Sequence, residues 1–177
     1  MKLTKFIIEK VEDKNPKNKF GKTPLHRAAA YGDLKICQMI MAKVEDKNPK
    51  DYKGFTPLHY AAHKGHLLIC QLILSSVDDK NPKNNFGLTP LHGAAFKGHS
   101  KIFQLIMTTV EDKNPKGDNG KTPLHCTARN EQLEICQLII ATVEDKNPRD
   151  DDGTTPLLLA AAENDLEICQ LIKAAIL

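Results

Sequence analysis

Thr23-Pro24-Leu25-His26 returns as Thr56–His59, Thr89–His92 and Thr122–His125, and as Thr-Pro-Leu-Leu at Thr155–Leu158, each 33 residues after the last. Two further markers keep the same step. Val-Glu-Asp-Lys-Asn-Pro begins at Val11, Val44, Val110 and Val143, with Val-Asp-Asp-Lys-Asn-Pro at Val77. A Gln-(Leu/Met)-Ile run follows Cys37, Cys70, Phe103, Cys136 and Cys169. Three markers with one period define a tandem array of a single supersecondary unit, in which each unit contacts only its neighbours and the core is a continuous ribbon.

Within each unit the residues predict two short helices. Thr23 suits an N-cap and Pro24 the first helical position, where no amide donor is needed. Ala28, Ala29 and Ala30 let a neighbouring helix approach closely, and Gly32 tolerates the left-handed turn that ends a helix. A second helix is expected from about Asp33 to Lys43, with Cys37, Ile40, Met41 and Val44 on one face. Helices this short do not hold alone in water, so stacking must stabilise them.

A 33-residue unit carrying Thr-Pro-Leu-His-x-Ala-Ala, clearest in Gly54–Ile69, resembles the ankyrin repeat. The resemblance implies an all-α solenoid of stacked helix–loop–helix units with projecting β-hairpin loops, and a role in binding other proteins. On this register residues 1–177 are one domain: a half repeat or cap over 1–17, then repeats of approximately 18–50, 51–83, 84–116, 117–149 and 150–177. The helix expected over Met1–Val11 matches only the second helix of a unit, so the chain starts in mid-repeat, as the cut edge of a longer array would. Where ankyrin repeats write a Gly-Ala-Asp run after the second helix, this chain writes Val-Glu-Asp-Lys-Asn-Pro; the missing glycine stop predicts a slightly longer second helix. The later repeats drift, and Glu131 and Asn164 stand where Gly32, Gly65 and Gly98 stand earlier.

Composition narrows the function. A net charge of +3 and pI of about 8.5 are too mild for a nucleic-acid binder, no apolar run is long enough to span a bilayer, and the N-terminus lacks the apolar core of a signal peptide. Four of the five cysteines share one repeat position, too far apart for a disulfide, and read as reduced thiols of an intracellular protein, cytosolic or nuclear. His59 and His63 stand at i, i+4 but lack the glutamate of a zinc protease and a third ligand. His125 and Cys126, adjacent on a helix, do not face each other. With no phosphate loop or nucleotide fingerprint, neither catalysis nor a cofactor is expected. In the family the motif histidine is a neutral group tying adjacent loops together.

Two sets of residues remain as candidates. Of nine aromatics, Phe20, Tyr31, Tyr52, Phe55, Phe86 and Phe96 fall where the resemblance places fingers or the inward-facing end of the first helix, all in repeats one to three. Lys19, Lys22, Lys53, His63, Lys64 and Lys97 surround them. Phe55 is equally placed to pack between fingers. The finger charges run from +3 (Lys17, Lys19, Lys22) to −2 (Arg149 against Asp150, Asp151 and Asp152) along the array. The expected ligand is an acidic, apolar segment of another protein, docking on the concave face of a monomer; the alternatives are a structural spacer in a larger ankyrin-repeat protein and an engineered array. The resemblance also implies asparagine hydroxylation at Asn48, Asn81, Asn114 and Asn147, each two residues after an aspartate.

Overall fold

The computed structural model describes residues 13–177; the helix expected over Met1–Val11 lies outside them. The described chain forms five helix pairs. In order they are α1 (Pro24–Tyr31) and α2 (Leu34–Met41), α3 (Pro57–Lys64) and α4 (Leu67–Leu74), and α5 (Pro90–Lys97) and α6 (Ser100–Met107). Then follow α7 (Pro123–Arg129) and α8 (Leu133–Ile140), and α9 (Pro156–Ala162) and α10 (Leu166–Ile176). First helices pack on first helices and second helices on second helices, so the array has two helical layers. A strict period turns each apolar position into a ladder along the stack. Leu25, Leu58, Leu91 and Leu124 are fully buried, and so are Ile40, Ile73, Ile106, Ile139 and Ile172. Cys37, Cys70, Phe103, Cys136 and Cys169 form a third ladder, and none of the five cysteines of the chain is in a disulfide.

The fingers are hairpin turns, and none of the described residues is in a β-strand. Asp51 N–H donates to Phe55 O and Gly54 N–H to Asp51 O, at 2.8 and 2.9 Å, and the other four fingers close with the same pair of bonds. Neighbouring fingers are stitched by single backbone bonds, Tyr52 N to Phe20 O, Asn85 N to Lys53 O, Asp118 N to Phe86 O and Asp151 N to Asn119 O.

The second helices α2, α4, α6 and α8 each span eight residues. α2 stops at Met41 despite the missing glycine, because the repeated Val-Glu-Asp-Lys-Asn-Pro supplies a different stop. Lys47 Nζ turns back and donates to Met41 O and Val44 O, and Lys80, Lys113 and Lys146 do the same in the next three repeats. An ammonium group set on the orphan carbonyls of a helix C-terminus satisfies them and complements the negative end of the helix dipole. The neighbouring residues extend the device. Asp46 Oδ1 accepts from Asn48 N–H, and Asn48 Oδ1 accepts from the N–H of Leu58 in the first turn of α3, at 3.0 Å for both bonds. The hexapeptide thus ends one helix and caps the next.

The left-handed turn between the two helices of a unit persists where glycine is lost. Glu131 has φ of 56° and Asn164 of 59°, against 70–83° for Gly32, Gly65 and Gly98. Asparagine adopts this region readily and glutamate does not. Glu131→Gly is therefore expected to stabilise the protein by about 1 kcal/mol, read as a higher denaturation midpoint in urea at unchanged slope; an unchanged or lower midpoint rejects backbone strain at this turn.

Candidate protein-docking groove

Histidines set the geometry of the first-helix layer. In the first four repeats the Nδ1 atom of the motif histidine accepts the backbone N–H of the N-cap threonine at 3.0–3.2 Å. Its Nε2–H donates to a carbonyl of the following finger, Phe55, Leu88, Lys121 or Thr154, at 3.0–3.1 Å. The ring is fixed as the neutral Nε2–H tautomer, with no nitrogen left for a metal. Burial holds all four below the ordinary histidine pKa, His59 and His92 at about 4. His66 and His99 add bonds at the other end of the layer, from Nε2 to Ala30 O and His63 O at 3.2 Å. Six of the seven histidines therefore tie one repeat to the next, and His63 alone is left over.

His63 faces a groove between the fingers and the first helices. One hollow of about 430 Å³ lies over the first two fingers, lined by Lys19, Phe20, Lys22, Asp51, Tyr52, Lys53, Phe55 and Tyr60. A second, about 420 Å³ and mostly apolar, lies over α3 and α5, lined among others by Phe55, His59, Tyr60, His63, Gly93, Phe96 and Cys126. Phe55 and Tyr60 line both, so the two hollows adjoin. His63 stacks on Phe96 with ring centres 6.1 Å apart, and burial next to Lys97 and Lys64 lowers its pKa.

The candidate aromatics do not all lie in this groove. Phe20, Tyr52, Phe55 and Phe96 line it; Phe20, Tyr52 and Phe96, with Tyr31 and Phe86, are 42–76 % exposed. Phe55 is half-buried and packs between fingers, with its ring 5.4 Å from His59, 5.9 Å from Tyr60 and 6.3 Å from Phe86. Tyr31 stands apart beside Arg27, its ring 5.9 Å from the guanidinium. Three of the candidate lysines lie over aromatic faces: Lys19 over Phe20, Lys22 over Tyr60 and Lys97 over Phe96, at 4.7–5.1 Å. Such placements attract the cation to the ring and leave its charge at the rim. Lys53 and Lys64 are exposed, Lys53 in the first hollow.

Sequence reasoning missed Tyr60, Asp51, Gly93 and Cys126. Tyr60 donates its hydroxyl to Asp51 Oδ2 at 3.0 Å, and burial together with Asp51 pushes the phenol pKa up. Cys126 lines the apolar hollow, and burial pushes its thiol to about 11, so at neutral pH it is an apolar surface and not a nucleophile. The signal was present. Arg27, Tyr60, Gly93, Cys126 and Leu159 occupy the variable residue just after Thr-Pro-Leu-His, the place where an otherwise strict motif changes chemistry from repeat to repeat.

Asn48, Asn81, Asn114 and Asn147 lie away from this groove, each with its side-chain oxygen on the N–H of the leucine ten residues later at 2.9–3.1 Å. Among the described residues no three metal-ligating side chains gather, and no helix is long and apolar enough to cross a membrane.

Stacked helix pairs tied through fingers, with a groove along the first helices, define a helical-repeat scaffold. The family profile of ankyrin repeats (3 copies) matches residues 1–84, 50–116, 71–150 and 91–176, and the chain belongs to the ankyrin repeat family. Ankyrin repeats are generally protein–protein interaction modules, typically without catalysis of their own. A comparison with curated proteins gives no match.

Proposed function

We propose that the protein binds an acidic, apolar segment of another protein in the groove formed by fingers and first helices of repeats one to three. The observation that carries this reading is the pair of adjoining hollows, rimmed by Lys19, Lys22, Lys53 and Lys97 and presenting Phe20, Tyr52 and Phe96 to solvent. Exposed aromatics clustered in a concave site supply large apolar area at low entropic cost, and surrounding cations steer an anionic partner. The acidic last finger, Asp150–Asp152, lies at the other end of the array and has no part in this site.

Co-purification with quantitative mass spectrometry, followed by titration of the partner it identifies, tests the reading. Tyr52→Ala and Phe96→Ala should each weaken binding by about 2 kcal/mol, roughly thirtyfold. Replacing Lys53 and Lys97 by Gln should slow association and flatten its dependence on salt. Asn at positions 150, 151 and 152 should leave affinity unchanged. Binding that survives loss of the aromatics and fails on neutralising the acidic finger moves the site to the other end of the array.

A further inference from the structure

Repeat two shows what fills the concave surface just behind a finger. Asp51 Oδ1 accepts the backbone N–H groups of Lys53 and Phe55 at 2.9 and 3.0 Å, and its Oδ2 accepts the Tyr60 hydroxyl at 3.0 Å. One repeat later Asn84 closes its finger the same way, with Oδ1 accepting from Phe86 and Leu88 N–H at 2.9 and 3.0 Å. Those two bonds fix the orientation of the amide, so its Nδ2 takes the place of Asp51 Oδ2. The residue equivalent to Tyr60, however, is Gly93. Asn84 is only 6 % exposed, and its Nδ2 is the one buried side-chain polar atom without a hydrogen-bond partner among the described residues. Burying an unpaired amide donor is costly, and such an orphan calls for an explanation.

Gly93 itself breaks a local rule. It sits inside α5, where glycine is the weakest helix former after proline. No steric demand accounts for it: the three atoms nearest a Cβ built at Gly93 are all of His63, at an ordinary 3.4–3.6 Å, and the backbone needs no positive φ. Its effect is to leave open the notch between Tyr60, His63, Phe96 and Cys126. A helix former given up beside an orphaned donor is the pattern of a site that an incoming group completes.

We infer that this notch seats a tyrosine side chain of the bound segment, its phenolic oxygen accepting the hydrogen bond of Asn84 Nδ2. The inference rests on the docking reading above. Tyr60 against Asp51 shows that a phenol fits this place in the repeat, and a hydroxyl can accept from an amide as well as donate to a carboxylate. The ring lies against Phe96 and His63 and takes, over Asn84, the place that the Tyr60 ring takes over Asp51 one repeat earlier. A phenylalanine leaves the amide unpaired, and a carboxylate is costly in so apolar a hollow. Lys64 and Lys97 flank the notch and suit acidic residues on either side of the tyrosine.

The full chain, labelled with ¹⁵N, is titrated with p-cresol and separately with toluene. The expected result is a saturable shift of the Asn84 side-chain amide with p-cresol, and affinity about tenfold above that for toluene, the gain of one satisfied buried hydrogen bond. Gly93→Tyr, which fills the notch from within, should abolish binding of both. Asn84→Asp combined with Gly93→Tyr copies both residues of the repeat-two pair, so it keeps the fold and should bind neither probe. The inference falls if p-cresol gives no saturable shift, if toluene binds equally well, or if Gly93→Tyr binds p-cresol undiminished. Should p-cresol fail while Tyr52→Ala still weakens the partner, the docking surface stands without the tyrosine seat. Should p-cresol bind while Tyr52→Ala has no effect on the partner, the seat stands and the wider docking surface falls.

Discussion

Lowering the pH from 7.5 to 5 will cost the protein about 2 kcal/mol for each of His59 and His92, well before most carboxylates titrate. Both rings are buried and titrate at about 4 in the folded protein, against an ordinary value of 6.5. The unfolded chain therefore binds more protons than the folded one throughout that window. Stability is intact above pH 6.5 and falls as the pH drops towards 4. The structural reason is specific: a second proton goes onto Nδ1, which already faces the N–H of Thr56 or Thr89. That bond turns into a repulsion, and a charge is left in the interior. Urea midpoints at pH 7.5, 6.5, 5.5 and 5 measure the effect. His92→Leu, the residue that repeat five carries at Leu158, should lose about 2 kcal/mol at pH 7.5 by orphaning Thr89 N–H and Lys121 O, and should be less acid-sensitive. Stability that is flat from pH 7.5 to 5 rules out the histidine ladder as the source.

Lys113→Met will destabilise the array by about 2 kcal/mol, although the lysine belongs to a surface loop. Its ammonium group is bonded to Met107 O and Val110 O, and charge-assisted bonds to carbonyls contribute more than neutral ones. Methionine keeps the apolar stem and removes only the donor, so the measured loss isolates the cap from the packing. Lys101→Met, on an exposed face of α6, is the control and should stay within about 0.5 kcal/mol. If the two variants melt alike, the lysine is an ordinary solvated charge and the helix stop lies elsewhere.

Lys47 and its counterparts also mark where sequence reading stopped short. The repetition of Val-Glu-Asp-Lys-Asn-Pro was plain, and so was the absence of the glycine stop, yet the stop that replaces it was not read. A lysine that bonds backwards along its own chain looks, in sequence, like any solvated lysine; only the path of the chain brings Nζ onto the last carbonyls. The motif histidines were easier. Their neutral, loop-tying role followed from the family resemblance, and the structure supplied the carbonyl partners 29 residues away. The groove was half legible: Phe20, Tyr52, Phe55 and Phe96 line it, Phe55 while also packing between fingers, whereas Tyr31 stands apart.

By itself the sequence determined the repeat unit, the number of stacked pairs, the caps at Thr and Pro, the apolar face of the second helix and the recurring cysteine position. All of these depend on residues within a few positions of each other, multiplied by a strict 33-residue period. Only the tertiary structure decided which side chains share the groove. Gly93 becomes a notch because Tyr60, Phe96 and Cys126 of three successive repeats surround it, and Asn84 becomes an orphan because the side chain that would answer it is missing. Such relations arise between layers of the stack, where the neighbour of a residue is set by rise and twist of the solenoid and not by its distance along the chain.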